Sequence, residues 1–563
     1  MENIRIFCEN TGSYEKVVLS TTLSSLYSRK PVLDAPVLAA LVDNKLKSLD
    51  YKIINPHNVR FIDYSHPDGR RTYIRSLCFV LQKVVREMFP DKVLAIDYSL
   101  PSGLYCEIRE VKPMDDGRPC VCFLTDEQVE GIEARMLQIV KADLPFGKTM
   151  MSLEECCRIF ERQHQIDKVN LLKTMGRFNY NVYTLDGTVD TFYGPLVPST
   201  GLLTTFNLAG FNDGFCLQYP MEGDTDKVLP MKRQSKLAMA LEEHSDWCSI
   251  MGVRGLGMLN STVLAGKAVD LINLSEALHE RKYAEIANLI YARRGSVKIV
   301  FIAGPSSSGK TSTSKRLALQ CRILGLNPRV IELDNYFVDR EFTPRDENGE
   351  YDFEALGAMD LELLGKQLNE LLEGKSVEIP RFDFVEGKKH FEGNFMQLHE
   401  KDILIMEGIH ALNPAMIPGV DPSKVFRVYA SALTSLSLDE NNNISTSDNR
   451  MLRRMIRDNR TRGVNPESTI MRWQSVRRGE NRNIFPFQEY ADAIFNSAHI
   501  FELPVLKYYA EPLLRRIPPH SPAFTEASRM LKFLGSIVAL TPAEIAAIPP
   551  TSILREFIDG QTL

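Results

Sequence analysis

The residues from Gly304 to Thr311 have the types and the spacing of a loop that binds phosphate groups. They read Gly304, Pro305, Ser306, Ser307, Ser308, Gly309, Lys310 and Thr311, and Ser312 follows them. Glycines at this spacing let backbone N–H groups converge on phosphate oxygens at the start of a helix. In such loops the lysine reaches the β- and γ-phosphates and the threonine hydroxyl coordinates Mg²⁺. We therefore predict that residues 304–312 bind ATP with Mg²⁺; the alternative is a Gly/Ser-rich turn without a ligand.

Two acidic residues, Asp334 and Glu407, follow apolar runs of strand length at Val330–Leu333 and Ile403–Met406. Ligands of open α/β sheets bind beyond the carboxyl ends of the strands, so both residues are expected near the phosphate loop. There Asp334 can accept the proton of an attacking hydroxyl, and Glu407 can hold the metal together with Thr311. Position alone also allows an N-cap role for Asp334 and an ordinary strand-end carboxylate for Glu407, and it favours the base and metal roles.

Arginines crowd a short segment that we predict to be helical, namely Arg450, Arg453, Arg454, Arg457, Arg460 and Arg462. The first four share one helix face because they lie three or four residues apart. One interpretation is a lid that closes on the transferred phosphate and stabilises its charge. The other is a solvated basic face or a surface that contacts RNA, and spacing alone does not separate the two.

These residues need a scaffold, and the pattern around them predicts a parallel, doubly wound α/β sheet over residues 295–510. A pure apolar strand at 297–303 precedes the phosphate loop and a helix at 312–324 follows it. Strands and helices then alternate. The polar stretch Asp439–Asn443 is predicted to be a mobile loop.

The remaining segments divide into four regions. Residues 1–64 are predicted to be a small β-rich module with a hairpin at 41–46, and residues 65–220 an α+β domain. Residues 221–294 are predicted to be a helical connector that ends in one amphipathic helix at 274–294. Residues 511–563 are predicted to be helices interrupted by Pro518-Pro519 and Pro549-Pro550.

Composition is that of an ordinary globular protein: 563 residues, 44% hydrophobic, 25% charged and a net charge of −5. This charge gives no global reason to expect a nucleic-acid or membrane partner. No apolar run approaches the length of a membrane helix. Of the 10 cysteines, Cys120 and Cys122 are either half of a metal site or two residues on one face of a strand, and the second interpretation is favoured. We expect a cytoplasmic homo-oligomer.

Further motifs accompany the phosphate loop: Asp334-Asn335-Tyr336-Phe337, Tyr351-Asp352-Phe353, Ile379-Pro380-Arg381-Phe382-Asp383-Phe384, Glu407-Gly408-Ile409 and Arg453-Arg454-Met455-Ile456-Arg457-Asp458. Together they resemble the uridine kinase/phosphoribulokinase family, and most closely the uridine–cytidine kinases. The resemblance implies a P-loop kinase fold with Asp334 as the base acting on a nucleoside 5′-hydroxyl. It implies that Lys310, Arg454 and Arg457 act in catalysis and that Glu407 lies near Mg²⁺.

On the acceptor side, the resemblance implies that Asp352, Phe382, Arg457 and Arg462 contact the substrate, with Asp352 on the ribose. Phe382 stands where those kinases carry a tyrosine that contacts the base, so a hydroxyl is missing. The histidine that the family places shortly afterwards has no counterpart near 386–388. Val464 and Arg472 replace an expected arginine and glutamine. We therefore expect the residues that bind ribose and phosphate to match those of the family, and the residues that recognise the base to differ.

The first 220 residues resemble the N-terminal part of threonyl-tRNA synthetase, through the motifs Ser99–Cys106 and Tyr193–Pro198. The resemblance implies a β-grasp TGS module at 1–64 and an editing-type domain beyond it. That editing site uses two residue pairs containing histidine and cysteine, which align here with Arg75 and Phe79, and with Phe192 and Leu196. Because none of these four is a histidine or cysteine, we expect a binding or regulatory module, of RNA or a small ligand, that lacks the editing chemistry.

The combined interpretation is an ATP- and Mg²⁺-dependent nucleoside kinase with a synthetase-like extension. The first alternative keeps the phosphoryl transfer but changes the acceptor to a non-nucleoside sugar or sugar phosphate. The second alternative is an RNA-associated regulatory protein that uses ATP only as a switch.

Overall fold

The N-terminal residues form a five-stranded sheet in the order β2-β1-β5-β3-β4. The computed structural model describes residues 3–29, 32–232, 234–345, 349, 351–417, 419–434 and 436–563. The elements are β1 (Asn3–Cys8), β2 (Ser13–Val18), α1 (Leu23–Arg29), β3 (Ala39–Val42), β4 (Lys45–Lys47) and β5 (Asn58–Ile62). Leu23 and Leu26 of α1 pack on the sheet within one apolar cluster. The hairpin predicted at 41–46 is confirmed by the antiparallel pairing of β3 with β4.

The next region places helices on a four-stranded antiparallel sheet of order β11-β12-β7-β6 and adds a small three-stranded sheet, β10-β9-β8. Its helices are α2 (Pro67–Met88), α3 (Asp126–Lys141), α4 (Leu153–Arg162) and α5 (Ile166–Thr174). Its strands are β6 (Lys92–Leu100), β7 (Gly103–Glu110), β8 (Gly147–Ser152), β9 (Asn179–Leu185), β10 (Thr188–Asp190), β11 (Asn207–Phe211), β12 (Gly214–Gln218), β13 (Pro220–Met221) and β14 (Asp224–Val228). The apolar face of α2 is buried among residues of α3, β6, β7 and β12, and this cluster is the core of the region.

Three helices lead to the second half: α6 (Ser235–Ile250), α7 (Leu256–Leu264) and α8 (Ala268–Ala292). The helix predicted at 274–294 is therefore confirmed, but it begins earlier. The buried face of α8 packs on α9, the helix that follows the phosphate loop.

The second half contains a five-stranded, fully parallel sheet in the order β16-β21-β15-β22-β25. Its elements are β15 (Ile299–Ala303), α9 (Lys310–Ile323), β16 (Asn327–Glu332), α10 (Leu361–Leu372), β17 (Val377–Glu378), β18 (Arg381–Asp383), β19 (Lys388–His390), β20 (Phe395–Met396), β21 (Asp402–Glu407), β22 (Val425–Ser431), β23 (Ser437–Asp439), β24 (Asn442–Asn443), α11 (Thr446–Arg462), α12 (Pro466–Asn483), β25 (Ala493–Asn496) and α13 (Glu502–Leu514). Every residue of the central strands β15 and β21 is buried, because helices cover both faces of the sheet. The predicted parallel α/β sheet is confirmed, and its carboxyl edge collects the phosphate loop, Asp334 and Glu407.

The prediction of a mobile loop at Asp439–Asn443 is wrong, because the segment belongs to the hairpin β23–β24 and docks against the N-terminal half. Asn441 is 4% exposed; its amide donates to the carbonyl of Leu94 at 3.0 Å and its side-chain oxygen accepts from Gln82 at 3.0 Å. The Glu440 carboxylate accepts from the backbone N–H groups of Asp167 and Lys168 at 2.8 and 3.1 Å. The polar residues of the hairpin therefore find their partners in another domain.

The C-terminal residues form α14 (Phe524–Leu534), α15 (Pro542–Ala546) and α16 (Arg555–Ile558). The predicted interruptions are confirmed, because Pro518-Pro519 lies between α13 and α14 and Pro549-Pro550 between α15 and α16. Phe557 of α16 is completely buried and lies 4.9 Å from the Arg453 guanidinium of α11. Helix α16 therefore packs on α11, the helix that carries the predicted arginines. None of the helices in the described ranges combines the length and the apolar character that a membrane crossing requires.

Candidate active site

The phosphate loop connects β15 to α9 and has the backbone of an anion-binding turn. Ser307 and Gly309 have positive φ angles of 58° and 79°, and Gly309 is the N-cap of α9. A side chain at Gly304 would collide with the backbone oxygen of Ala430 on the neighbouring strand, so only glycine fits there. The N–H groups of the first turn of α9 have no acceptor within the helix, and the sequence predicts that this end of the helix binds the phosphates.

The Thr311 hydroxyl donates to Glu407 Oε1 at 2.6 Å, which brings together the two residues predicted to bind metal. Burial and the neighbouring Asp334 raise the pKa of Glu407 to about 7, while Lys310 opposes the shift. No group of three or more His, Cys, Asp or Glu side chains within the described part of the chain could by itself hold a metal. An all-oxygen pair fits Mg²⁺, which takes one or two protein ligands and completes its shell with water and phosphate oxygens.

Asp334 follows β16 directly and lies in a single 3₁₀ turn, Leu333–Tyr336. Burial raises the pKa of its carboxyl group, and the positive charges of Lys310, Arg462 and Arg457 act in the opposite direction. The charges of three residues that the sequence predicted separately, on the loop and on α11, therefore act on the predicted base. A carboxylate with a raised pKa beside a cluster of cations suits proton transfer from a hydroxyl whose oxygen attacks phosphate.

One buried carboxylate, Asp458, gathers the three predicted phosphate-side arginines. Arg454 and Arg457 contact it at 3.2 and 3.0 Å, and Arg462 at 3.5 Å. Arg454 also donates to the Ser306 hydroxyl at 2.9 Å, so α11 touches the phosphate loop directly. Asp458 was visible in the sequence only as part of a motif, and its orienting contacts were not predicted.

The other two arginines of the predicted face are structural. Arg450 and Arg453 are 1% and 0% exposed, and each makes a two-pronged ion pair, with Glu480 of α12 and with Glu502 of α13. Because these pairs and an apolar face fix α11 in the protein core, Arg450 and Arg453 anchor the helix, and the lid interpretation does not hold for these two positions. The alternative interpretation, a solvated basic face, is also wrong for Arg450 and Arg453, because both side chains are buried.

The Arg450–Glu480 pair also holds the loop itself. Glu480 Oε1 accepts from the Ser306 N–H at 3.0 Å, and Arg450 donates to the Ser306 carbonyl at 3.1 Å. The contact of Glu480 with Ser306 could not be predicted from the sequence, because a glutamate inside a helix gives no local sign of a partner 174 residues away.

The acceptor side is formed by the hairpin β18–β19 and the segment around Asp352. The Phe382 N–H donates to Asn335 Oδ1 at 3.2 Å, so the hairpin is tied to the residue after the predicted base. Phe337 and Phe384 lie 5.8 and 5.2 Å from the Phe382 ring. The Asp352 N–H donates to the carbonyl of Pro344 at 2.8 Å, and no hydrogen bond or ion pair within the described ranges joins Asp352 to Asp334.

The positions aligned with the editing residues form a packed interior. Phe79, Phe192 and Leu196 are 0%, 8% and 3% exposed, and the Phe79 and Phe192 rings lie 5.1 Å apart. Arg75 donates to the carbonyl of Pro195 at 2.7 Å. These side chains offer no metal ligands and fill the space between them.

The model of the phosphoribulokinase/uridine kinase family matches residues 299–502. A uridine kinase of Ligilactobacillus salivarius is 30% identical over 204 residues, which are 36% of this chain and 86% of that protein. The N-terminal part is similar to a threonine–tRNA ligase of Desulforamulus reducens, 29% identical over 206 residues, which are 36% of this chain. The chain spans only 31% of that ligase. A solved Bacillus stearothermophilus structure, described as a possible uridine kinase, is 18% identical and covers 38% of this chain and 98% of that one, with a TM-score of 0.27.

Proposed function

Because the chain belongs to the phosphoribulokinase/uridine kinase family, we propose that it is an ATP-dependent kinase that phosphorylates the 5′-hydroxyl of a nucleoside. The observation that carries the proposal is the position of Asp334, at the carboxyl end of β16 and facing the charges of Lys310, Arg457 and Arg462. A proton acceptor beside clustered cations is the arrangement that transfer of a phosphoryl group to an alcohol requires.

In the proposed reaction, Asp334 accepts the proton of the acceptor hydroxyl as its oxygen forms a bond to the γ-phosphorus. The bond between the γ-phosphorus and the bridging oxygen breaks, and ADP leaves with that oxygen. Lys310, Arg454 and Arg457 stabilise the charge on the transferred group. Thr311 and Glu407 would hold Mg²⁺, which supplies further positive charge to the phosphates. Asp352 would bind the ribose, and the Phe382 face would bind the base.

An acceptor panel with ATP and Mg²⁺ tests this function, with ADP production as the readout. We expect phosphorylation of at least one nucleoside, and a loss of kcat of about 10²- to 10⁴-fold in Asp334→Asn with ADP affinity retained. Lys310→Ala should abolish turnover. Glu362→Gln removes an exposed negative charge in the first turn of α10, away from the base, and serves as the control with near-normal kcat. Normal turnover in both Asp334→Asn and Lys310→Ala would refute the assignment.

A second candidate acceptor is a non-nucleoside sugar or sugar phosphate. It is favoured by the purely aromatic cluster of Phe337, Phe382 and Phe384, which offers no hydroxyl to read the edge of a base. Including such sugars in the same panel separates the two candidates. Phosphorylation of a sugar and of no nucleoside would select the second.

A further inference from the structure

The C-terminal segment of the chain covers the start of α9. Lys315 donates to the carbonyl of Leu563 at 2.9 Å, and Gln561 donates to the Ser312 hydroxyl at 2.7 Å. The fully buried side chain of Ile553 lies so close to Gly309 that a Cβ there would collide with it. The segment is therefore part of the surroundings of the phosphate loop, although it lies outside the residues that match the kinase family.

Within this segment, the Glu556 carboxylate binds the phosphate loop directly. Its Oε2 accepts from the Ser312 N–H at 3.2 Å and from the Ser312 hydroxyl at 2.6 Å. Ser312 is the third residue of α9, where the N–H has no partner within the helix and the helix dipole attracts negative charge. In loops of this sequence the backbone N–H groups at this end receive the α- and β-phosphates. The carboxylate thus occupies an anion position that the nucleotide needs.

A comparison with Glu480 shows that the two carboxylates on the loop differ. Glu480 is neutralised by Arg450 and also contacts Arg477 at 3.2 Å. Glu556 takes part in no ion pair of the described residues. Burial raises the pKa of the nearby Glu332, and Asp334 and Glu556 add to the rise. Glu480 is therefore a permanent part of the loop, whereas Glu556 is an unpaired anion that a phosphate can replace.

We propose that Glu556 is an affinity-determining residue of the nucleotide site, because its carboxylate competes with the nucleotide's α-phosphate for Ser312. The proposal rests on the proposed function, since it presumes that the loop binds ATP. Nucleotide binding then requires the Glu556 side chain to leave Ser312. The chain's own terminus in this way sets the nucleotide concentration at which the site fills.

The experiment compares the full-length wild type with Glu556→Gln and Asp559→Asn, by calorimetric titration with ADP and, separately, with adenosine. Asp559 is the matched control, because it lies on the same segment with a 76% exposed side chain and pairs with Arg460 rather than with the loop. We expect Glu556→Gln to bind ADP about tenfold more tightly, which corresponds to about 1.4 kcal/mol. Adenosine, which has no phosphate, should bind equally to all three proteins, and Asp559→Asn should bind ADP like the wild type.

Unchanged or weaker ADP binding by Glu556→Gln overturns the proposal, and so does an equal gain for adenosine. Absence of ADP binding to all three proteins refutes the proposed function itself. Amide hydrogen exchange of the wild type gives an answer that does not depend on a variant. ADP should slow exchange across residues 304–312 and speed it across residues 553–558. Slower exchange in both segments would overturn the competition.

Discussion

A variant of Glu480 can separate an effect on stability from an effect on nucleotide binding, because the Arg453–Glu502 ion pair resembles the Arg450–Glu480 pair. Glu480 and Glu502 are 1% and 0% exposed, and each binds one buried arginine of α11 through both oxygens. Only Glu480 also accepts from the N–H of Ser306 in the phosphate loop. The perturbation is therefore Glu480→Gln, with Glu502→Gln as the matched control.

Both variants should lose stability by a similar amount. Removing the charge of one partner leaves a buried arginine uncompensated, and such losses are about 3–5 kcal/mol. Glu480→Gln should in addition raise the KM for ATP roughly tenfold. The reason is that the Ser306 peptide loses a charge-assisted hydrogen bond, which is worth about 1.5–3 kcal/mol, and glutamine recovers part of it. Glu502→Gln should raise KM less than Glu480→Gln does, because its pair reaches the loop only through Ser497, whose hydroxyl donates to the Ser308 carbonyl.

The assays are urea unfolding followed by circular dichroism, and steady-state kinetics at varied ATP with a saturating acceptor. Two results would refute the reasoning. One is an equal rise of KM in both variants, which would make the effect a general consequence of lost stability. The other is a destabilised Glu480→Gln with an unchanged KM, which would leave Glu480 with no role in positioning the loop.

The remaining predictions concern the base, the metal and the interface between the halves. Asp334 must be deprotonated to act, and burial raises its pKa, so the acid limb of the pH–kcat profile should lie above the ordinary range of an aspartate. Arg457→Met removes a charge that lowers this pKa and should therefore move the acid limb to higher pH. A shift of the limb to lower pH would contradict this reasoning. Thr311→Val should raise the Mg²⁺ concentration needed for half-maximal activity, whereas Thr311→Ser, which keeps the hydroxyl, should not; an unchanged Mg²⁺ requirement in Thr311→Val would argue against a threonine ligand. Asn441→Ala should destabilise the protein by about 1–3 kcal/mol in urea, because it leaves buried polar partners unsatisfied. Asn443→Ala, which loses only an exposed hydrogen bond, should cost less than about 1 kcal/mol, and equal costs would contradict the buried role of Asn441.

Local sequence was sufficient for the centre of the site. The apolar strand, the glycine spacing and the helix that follows define the phosphate loop within a single stretch of chain, and β15 and α9 begin within a few residues of the predicted positions. Asp334 and Glu407 could be predicted because parallel strands place their carboxyl ends at one edge of the sheet. Each of these inferences needed only neighbouring residues and one rule of sheet geometry.

The role of a residue could not be predicted from the sequence where its partner lies far along the chain. Arg450 and Arg453 have the spacing of a basic face, but Glu480 and Glu502, 30 and 49 residues later, turn them into core residues. Asp439–Asn443 has the composition of a loop, because polar residues look alike whether water or another domain receives their hydrogen bonds. The contact of Glu556 with Ser312 joins residues 244 positions apart and leaves no local signal at either end.

The hairpin β23–β24 also bears on how the molecule can be divided. It continues from β22 of the parallel sheet and precedes α11, so it is inseparable from the kinase framework. Yet Lys168, which is completely buried and supplies the positive charge facing Asp439, belongs to the synthetase-like half. A fragment that contained only the kinase-like half would expose Asp439 and Glu440 to solvent just before α11, without the positive charge of Lys168. Exchange of the N-terminal half between homologous chains should therefore succeed only when the donor brings a lysine at this position together with the backbone that receives Glu440.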